Sequence, residues 1–446
     1  MAKFIIEESN EKIISHSGIA IIGQLLSKTQ LKSRLNAVKL RQNGRKRTPV
    51  SSNKDIAYSY IGLLCQGKSD FEHIEPFRED SFFAYALEID HIPSCSTLRQ
   101  RLDLAGATRK WEPILLEESA KLLRKINAPL TPILINDTDY MPLDIDVSPF
   151  DNSGTKKEGV SRTYKGVDGF APIFAYLAQE GYLVHVEHRR GSDHCQKGTP
   201  EFIRKSIQYA KKVTDTRLLL RADSGNDSKD NLKICHEEKS DFIIKRNPRK
   251  ETAEGWLMIA KKHGMCCEER EGKTVYRGFL NESIKGLDRP VRLVFEVIER
   301  TSDRDGQTLL LPEISFDTYW TSLTCPATTV IDLYHDHGTS EQFHSELKSE
   351  LDLERLPSGK FDTNSLVLHF GLFAYNLLRL IGQVSLQKED APLKKKVQRR
   401  RIRTVIQNYM TLAAKFVIHA RQRRLKIGTG NRWIPSFQRI YQAFSI

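Results

Sequence analysis

Between residues 140 and 247 the apolar residues fall in alternating and continuous patterns with helical stretches between them, and few architectures accommodate that order. Candidate strands are YMPLDIDVSP (140–149), FAPIFAYL (170–177), GYLVHVEH (181–188), TRLLLRAD (216–223) and DFIIKRN (241–247). PEFIRKSIQYAKKV (200–213) predicts a helix after the third strand, and another helix falls between the last two strands. The order β-β-β-α-β-α-β predicts an α/β fold, a mixed sheet with flanking helices. Leu218, Leu219 and Leu220 make the unbroken apolar run of a strand buried on both faces.

The rest of the chain is arranged around this block. Residues 1–128 show apolar spacing of three and four (IAIIGQLL, AYSYIGLL, FFAYALEI), and NAPLTP (127–132) reads as a linker. From 249 to 325 the helical signal disappears, and KTVYRGFL, RPVRLVFEVIER, QTLLLPEI and FDTYWTSL are candidate strands. Helices resume near Ala327 and continue to the end. The expected segments are therefore 1–130, helical; 131–248, the first part of an α/β core; 249–325, a β-rich insertion; 326–385, the second part of the core; and 386–446, a basic helical region. The most apolar stretch, Val367 to Gly382, is interrupted by His369, Asn376 and Arg379, which fits a buried helix and not a membrane span.

Charge narrows the partner. The chain of 446 residues carries a formal net charge of +13, which favours nucleic acid over an anionic membrane. From Ala391 to Ile446 there are fourteen Lys or Arg and no Asp or Glu, and Lys28 to Thr48 holds eight basic residues and no acid. Two basic ends around a balanced middle suit a polyanion gripped from two sides. In PSCSTLRQRLDLAG (93–106) a Ser/Thr start signal precedes Arg99 and Arg101, which would project from a short helix toward DNA. The seven cysteines are scattered without a CxxC pair, and MAKFIIEESNEK lacks the apolar core of a signal peptide, so a reducing cytoplasm is expected.

Carboxylates stand out in three places. In PLDIDVS, alternation puts Asp144 and Asp146 on one strand face, although Asp is disfavoured in strands. Asp223 follows the Leu218–Leu220 run at the carboxyl end of its strand, where open α/β sheets hold ligands; capping the next helix is the other role open to Asp223 or Ser224. In YHDHGTSEQFHSELK (334–348) a helix starting at Thr339 or Ser340 puts Glu341 and Lys348 on one face and Phe343 and Leu347 on the other. VEHRRGSDHC offers His188, His194 and Cys195 as a rival metal set, without convincing ligand spacing.

The arrangement D-x-S on a first strand, R-A-D-S-G after a second, and Y-x2-H-x3-E-x6-K on a later helix resembles the DDE transposases of bacterial insertion sequences. It is most similar to the clan with a Y-(2)-R-(3)-E-(6)-K signature and a β insertion before the glutamate, over about 135–385. The resemblance implies a ribonuclease-H-like core in which Asp146, Asp223 and Glu341 are catalytic and bind two Mg²⁺ or Mn²⁺ ions. Asp144 fits the first position less well, because the family places Ser or Thr two residues after its aspartate and Ser148 follows Asp146. Tyr334, His337 and Lys348 would contact DNA, with His337 replacing the signature arginine. The partners implied are double-stranded DNA, both element terminal inverted repeats and target, and a second copy of the chain in a homodimeric synaptic complex. No membrane is involved, and the setting is the bacterial cytoplasm at the nucleoid. A plain metal-dependent nuclease and an inactive transposase-derived DNA-binding protein are the alternative functions.

Overall fold

The computed structural model describes residues 3–40, 49–287, 290–303 and 305–445, so part of the basic Lys28–Thr48 stretch, residues 41–48, lies outside the described residues. Two compact units form. One comprises Met1–Pro129, Lys156–Glu158 and Ser345–Ile446, and the other Leu130–Thr155 and Gly159–His344.

The second unit is built on a ten-stranded mixed sheet. Its strands are β1 (Ile133–Ile135), β2 (Thr138–Val147), β3 (Ile173–Leu177), β4 (Tyr182–Glu187), β5 (Arg217–Ala222), β6 (Asp241–Lys245), β7 (Gly264–Arg270), β8 (Lys273–Glu282), β9 (Val291–Ser302) and β10 (Thr308–Thr321). Their order is β7-β8-β9-β10-β6-β5-β2-β3-β4, with β1 also paired to β2. β5, which carries the Leu218–Leu220 run, lies between β2 and β6 and runs parallel to both, where a strand buried on both faces belongs. Thr199–Val213 (α1) and Lys229–Glu237 (α2) are the helices expected after β4 and β5.

The β-rich block at 249–325 continues this same sheet, because β10 pairs antiparallel with β6 from Ile243↔Thr321 to Lys245↔Tyr319. The block also contains a helix, Ala253–His263 (α3), where the sequence was expected to hold none. Thr252 caps it, accepting from Gly255 N at 3.2 Å, and Trp256 and Ala260 bury themselves against Leu293, Phe295 and Val297.

In the first unit Phe361–Ser385 (α6) packs against Cys95–Thr108, Trp111–Lys125 and Asn53–Leu64. Among the described residues it is the one helix long and apolar enough to cross a membrane, and its apolar window is wholly buried. Its polar interruptions are satisfied internally. Arg379 bonds the Glu346 carboxylate, the Tyr375 hydroxyl at 2.7 Å and Arg400 O at 2.6 Å, while Asn376 donates to Ser119 Oγ at 2.9 Å. The helix groups with the N-terminal helices, whereas the sequence assigned 326–385 as a whole to the sheet-bearing core.

The basic tail holds the expected helices, Ile402–Val405 and Ile434–Ser445, and between them an unforeseen hairpin, Ala414–His419 with Gln422–Ile427. Ile13–Ile14 adds a third strand to that hairpin. Tyr409, Met410, Phe437 and Ile440 are buried, so the tail is part of the unit's core. Much of its charge is spent locally. Arg439 holds Asp390 with two bonds, Arg399 pairs with Glu346, Arg401 with Glu350 and Lys415 with Glu11. Lys394, Lys395, Lys396, Arg421, Arg423 and Arg424 remain exposed.

Candidate active site

The register of the parallel strands brings two of the predicted carboxylates together. Ile145 of β2 stands opposite Ala222 of β5. The next residue on each chain is Asp146 and Asp223, so both acids leave neighbouring parallel strands at the same, carboxyl end. Asp146 Oδ1 accepts from Val147 N at 2.8 Å. Its Oδ2 accepts from Ser340 Oγ at 3.3 Å and meets His344 Nε2 at 3.0 Å. Burial opposes ionisation of Asp146, but the His344 contact, His337 and the Val147 amide outweigh it and hold the carboxyl below its ordinary range. Asp223 goes the other way: burial first, then the charge of Asp146, push it up despite a 2.5 Å bond from Asn226 Nδ2. The pair is short of positive charge.

Asp144 has a different task. It is buried and bound by Arg221, with Nε–Oδ1 at 2.6 Å and Nη2–Oδ2 at 2.8 Å, while Arg221 Nη1 donates to Leu333 O at 2.7 Å. His337 Nδ1 lies 3.1 Å from Asp144 Oδ1, a charge contact without good hydrogen-bond alignment. This corrects the expectation for His337. The imidazole is buried and faces Asp144, so it is not a phosphate-gripping side chain. Burial works against its protonation, but Asp144, and to a smaller extent Asp146, raise its pKa above the ordinary histidine value.

Glu341 lies at the start of the helix Ser340–Ser345 (α5) with its side chain exposed, and α5 follows a tight turn at Asp336–Thr339. Burial, then the charges of Asp146, Asp223, Cys195 and Glu341, push the hydroxyl of Tyr164 up to about 12. Tyr334 lies in the last turn of the helix Ala327–His335 (α4), its ring tilted by 50° to that of Tyr319 with centroids 4.8 Å apart, and burial, then Asp223, Asp317 and Asp146, push its phenol pKa up. Beyond Ser345 the chain turns into a π-helix, Glu346–Glu350, that belongs to the other unit. Glu341 and Lys348 therefore do not share the regular α-helical face their seven-residue spacing predicts. Lys348 Nζ lies 3.9 Å from Glu354 Oε1.

Sequence reasoning missed His344, Ser340 and Arg221. His344 links Tyr176 Oη, 3.0 Å from Nδ1, to Asp146 through Nε2, which fixes the orientation of both ring and carboxylate. Its three-residue spacing from Glu341 was the available signal. Of the rival metal set, His188 is buried against Phe170 at 4.4 Å and Cys195 Sγ donates to Gly225 O at 3.0 Å. Among the described residues no three His, Cys, Asp or Glu side chains are grouped to hold a metal ion.

Arg99 and Arg101 lie on the expected helix, Cys95–Thr108, which Ser94 caps by accepting from Thr97 N at 3.3 Å. Arg99 is exposed, but Arg101 is not available to DNA. It is buried, donating to Ser51 O at 3.0 Å and to Asn53 Oδ1, and that part of the expectation is corrected.

The chain matches the family described as Transposase DDE domain group 1 over residues 3–445 and belongs to it. It is a transposase-family protein with a mixed α/β fold. No curated protein matches it. Among solved structures, one similar chain is a piggyBac transposase in a synaptic complex with hairpin DNA, at 11% identity and a TM-score of 0.41, covering 89% of this chain and 80% of that one.

Proposed function

We propose that the chain is the transposase of an insertion sequence, which binds the element's ends, cuts the phosphodiester there and joins the freed 3′ hydroxyl to target DNA. The observation that carries this reading is the Asp146–Asp223 pair, two neighbouring acids at the carboxyl ends of parallel strands, with Asp223 pushed up by burial and then by the charge of Asp146. The strand order β4-β3-β2-β5-β6, with the first three antiparallel and the last three parallel, supports a ribonuclease-H-like core.

The all-oxygen donor set of Asp146, Asp223 and Glu341 fits Mg²⁺ or Mn²⁺, which take carboxylate, water and phosphate oxygens and usually only one or two protein carboxylates each. Asp146, Asp223 and Glu341 would hold two such ions, which when bound would supply stabilisation of the attacking and leaving oxygens. The protein's part is to hold the ligands. His344, braced by Tyr176, and Ser340 fix one oxygen of Asp146, and Asn226 fixes one of Asp223. Arg221 and His337 balance Asp144 directly beneath, so the strand carries its second acid without adding net negative charge to the site. Tyr334, Lys348 and Arg99 serve as DNA contacts, with a second copy of the chain completing a synaptic complex in the bacterial cytoplasm.

The test is incubation of the purified chain with plasmid carrying the gene's own flanking DNA and Mg²⁺ or Mn²⁺, with mapping of nicks and joined products. Cutting and joining at the same ends, lost in Asp146→Asn, Asp223→Asn and Glu341→Gln, are expected. Cutting without joining would make it a nuclease, and wild-type cutting by any of the three variants would remove that residue from the site.

A further inference from the structure

Tyr164 is an aromatic residue that the carboxylate chemistry does not use. It lies in the turn between the short strands Ser161–Arg162 and Asp168–Phe170, and its side chain is 68% exposed. Only its tip is tied down: the hydroxyl donates to Val147 O at 3.2 Å, one residue past Asp146. Burial of that hydroxyl, then the charges of Asp146, Asp223, Cys195 and Glu341, push the phenol up to about 12. A phenol so disposed keeps its proton at neutral pH and performs no acid–base work there. What it presents is a ring.

The ring is held on a rigid support. Thr163 N donates to Val167 O at 2.9 Å, Thr163 Oγ1 to the same oxygen at 2.9 Å, and Gly166 N to Thr163 O at 3.0 Å. Gly166 adopts a φ of +77°, which closes the turn at no steric cost. Ser192 N donates to Ser161 Oγ at 2.9 Å and anchors the base of the hairpin. One cation stands over the ring, Lys165 Nζ 6.0 Å from its centroid, and two residues before Tyr164 in the same hairpin Arg162 is exposed, its Asp168 partner at 3.4 Å exposed as well. Such a surface pair contributes little and is readily exchanged for a phosphate.

A rigid exposed aromatic ring with Lys165 over it and Arg162 in the same hairpin, tethered one residue past Asp146, has the composition of a base-stacking platform. We propose that Tyr164 stacks on a nucleobase of the strand entering the Asp146–Asp223 site, next to the phosphate that is cut, and that Arg162 and Lys165 hold the adjoining phosphates. The assignment rests on the transposase reading and deepens it. Stacking tolerates any base, so Tyr164 positions the strand without reading its sequence.

The test places 2-aminopurine at each nucleotide beside the mapped cut in duplex made from the gene's flanking DNA, and also in a single-stranded oligonucleotide of the same sequence. Wild type should quench the probe at one or two positions. Tyr164→Phe, which keeps the ring, should quench equally, and Tyr164→Ala should lose the quenching and bind the single strand roughly ten- to a hundredfold more weakly. Thermal melting of Tyr164→Ala checks that it folds, and Arg162→Gln/Lys165→Gln gives a second variant that leaves the ring in place and should weaken binding without abolishing quenching. Equal quenching and affinity in wild type and Tyr164→Ala would overturn the stacking, as would a wild type that leaves the probe unchanged while nicking the DNA. Tyr164-dependent quenching without any nicking would support the platform and overturn the transposase reading instead.

Discussion

Arg221 grips both carboxylate oxygens of Asp144 from the neighbouring parallel strand, at 2.6 and 2.8 Å, with both side chains almost fully buried. A single substitution there strands a buried charge, which costs about 3–5 kcal/mol. Asp144→Asn should therefore lower the urea midpoint sharply. Asp146→Asn, two residues along, should cost less than about 2 kcal/mol, since it loses hydrogen bonds to His344, Ser340 and Val147 but strands no cation of that kind. Similar unfolding curves for the two variants would contradict this division of structural and functional acid.

Asp223 yields a prediction of opposite sign. Its folded-state pKa is raised by burial and by Asp146. A carboxyl raised on folding adds stability below its unfolded value, about 3.9, and that contribution is lost as pH rises through the folded value. At pH 7 without metal the charged group is thus a net burden. Asp223→Asn in EDTA should melt above wild type by about 2–4 °C, and Mg²⁺ should narrow or reverse the gap because only wild type keeps the full ligand set. A variant that melts below wild type in EDTA would count against a charge-strained pair.

His337, expected from the sequence to contact DNA, gives a pH dependence to the fold instead. Its folded pKa is raised, burial being overcome by Asp144. The sign follows: its stabilisation is complete below about pH 6.5, the unfolded value, and declines as pH rises through the higher folded value. Wild type should lose stability between pH 6.5 and 8 more steeply than His337→Gln, with a difference of about 1 kcal/mol. DNA-end binding should show no matching difference between the two proteins, because the ring faces Asp144. A variant whose stability follows the wild-type pH curve would break the argument.

The sheet was legible because its strands are buried on both faces or alternate cleanly, and TRLLLRAD and DFIIKRN lie within a residue or two of their predicted ends. Asp146 and Asp223 were legible for the same reason, since strand ends fix their positions. Helix α3 was missed because it buries only Trp256 and Ala260, too few residues to set a period. Arg101 and His337 were misplaced by a shared cause: polar side chains were read as outward, and only tertiary partners far along the chain, Ser51 and Asn53 for one and Asp144 for the other, bury them. The charge of the tail was overread likewise, because its neutralising acids, Glu346, Glu350, Asp390 and Glu11, lie elsewhere in sequence.

That redistribution changes how the tail should be tested. Removal of everything after Asp390 would take away Tyr409, Met410, Phe437 and Ile440 from the core of the first unit, so a truncated chain would lose DNA affinity by unfolding. Neutralising the exposed cations avoids this. Lys394, Lys395 and Lys396 lie together in one exposed run, and Arg421, Arg423 and Arg424 cluster on the hairpin whose turn residues Ala420 and Arg421 have φ of +49° and +63°. Changing all six to Gln keeps the buried side chains and the Arg439–Asp390, Arg401–Glu350 and Lys415–Glu11 pairs intact. Each cation that neutralises a phosphate releases a counterion, so log affinity falls against log salt with a slope of about 0.9 per phosphate contact. The six-fold variant should melt within a few degrees of wild type, bind duplex DNA more weakly at low salt, and show a slope shallower by about 0.9 for each contact removed. Binding measured from about 50 to 200 mM salt decides it. Parallel slopes for the two proteins would mean that these exposed cations face something other than DNA.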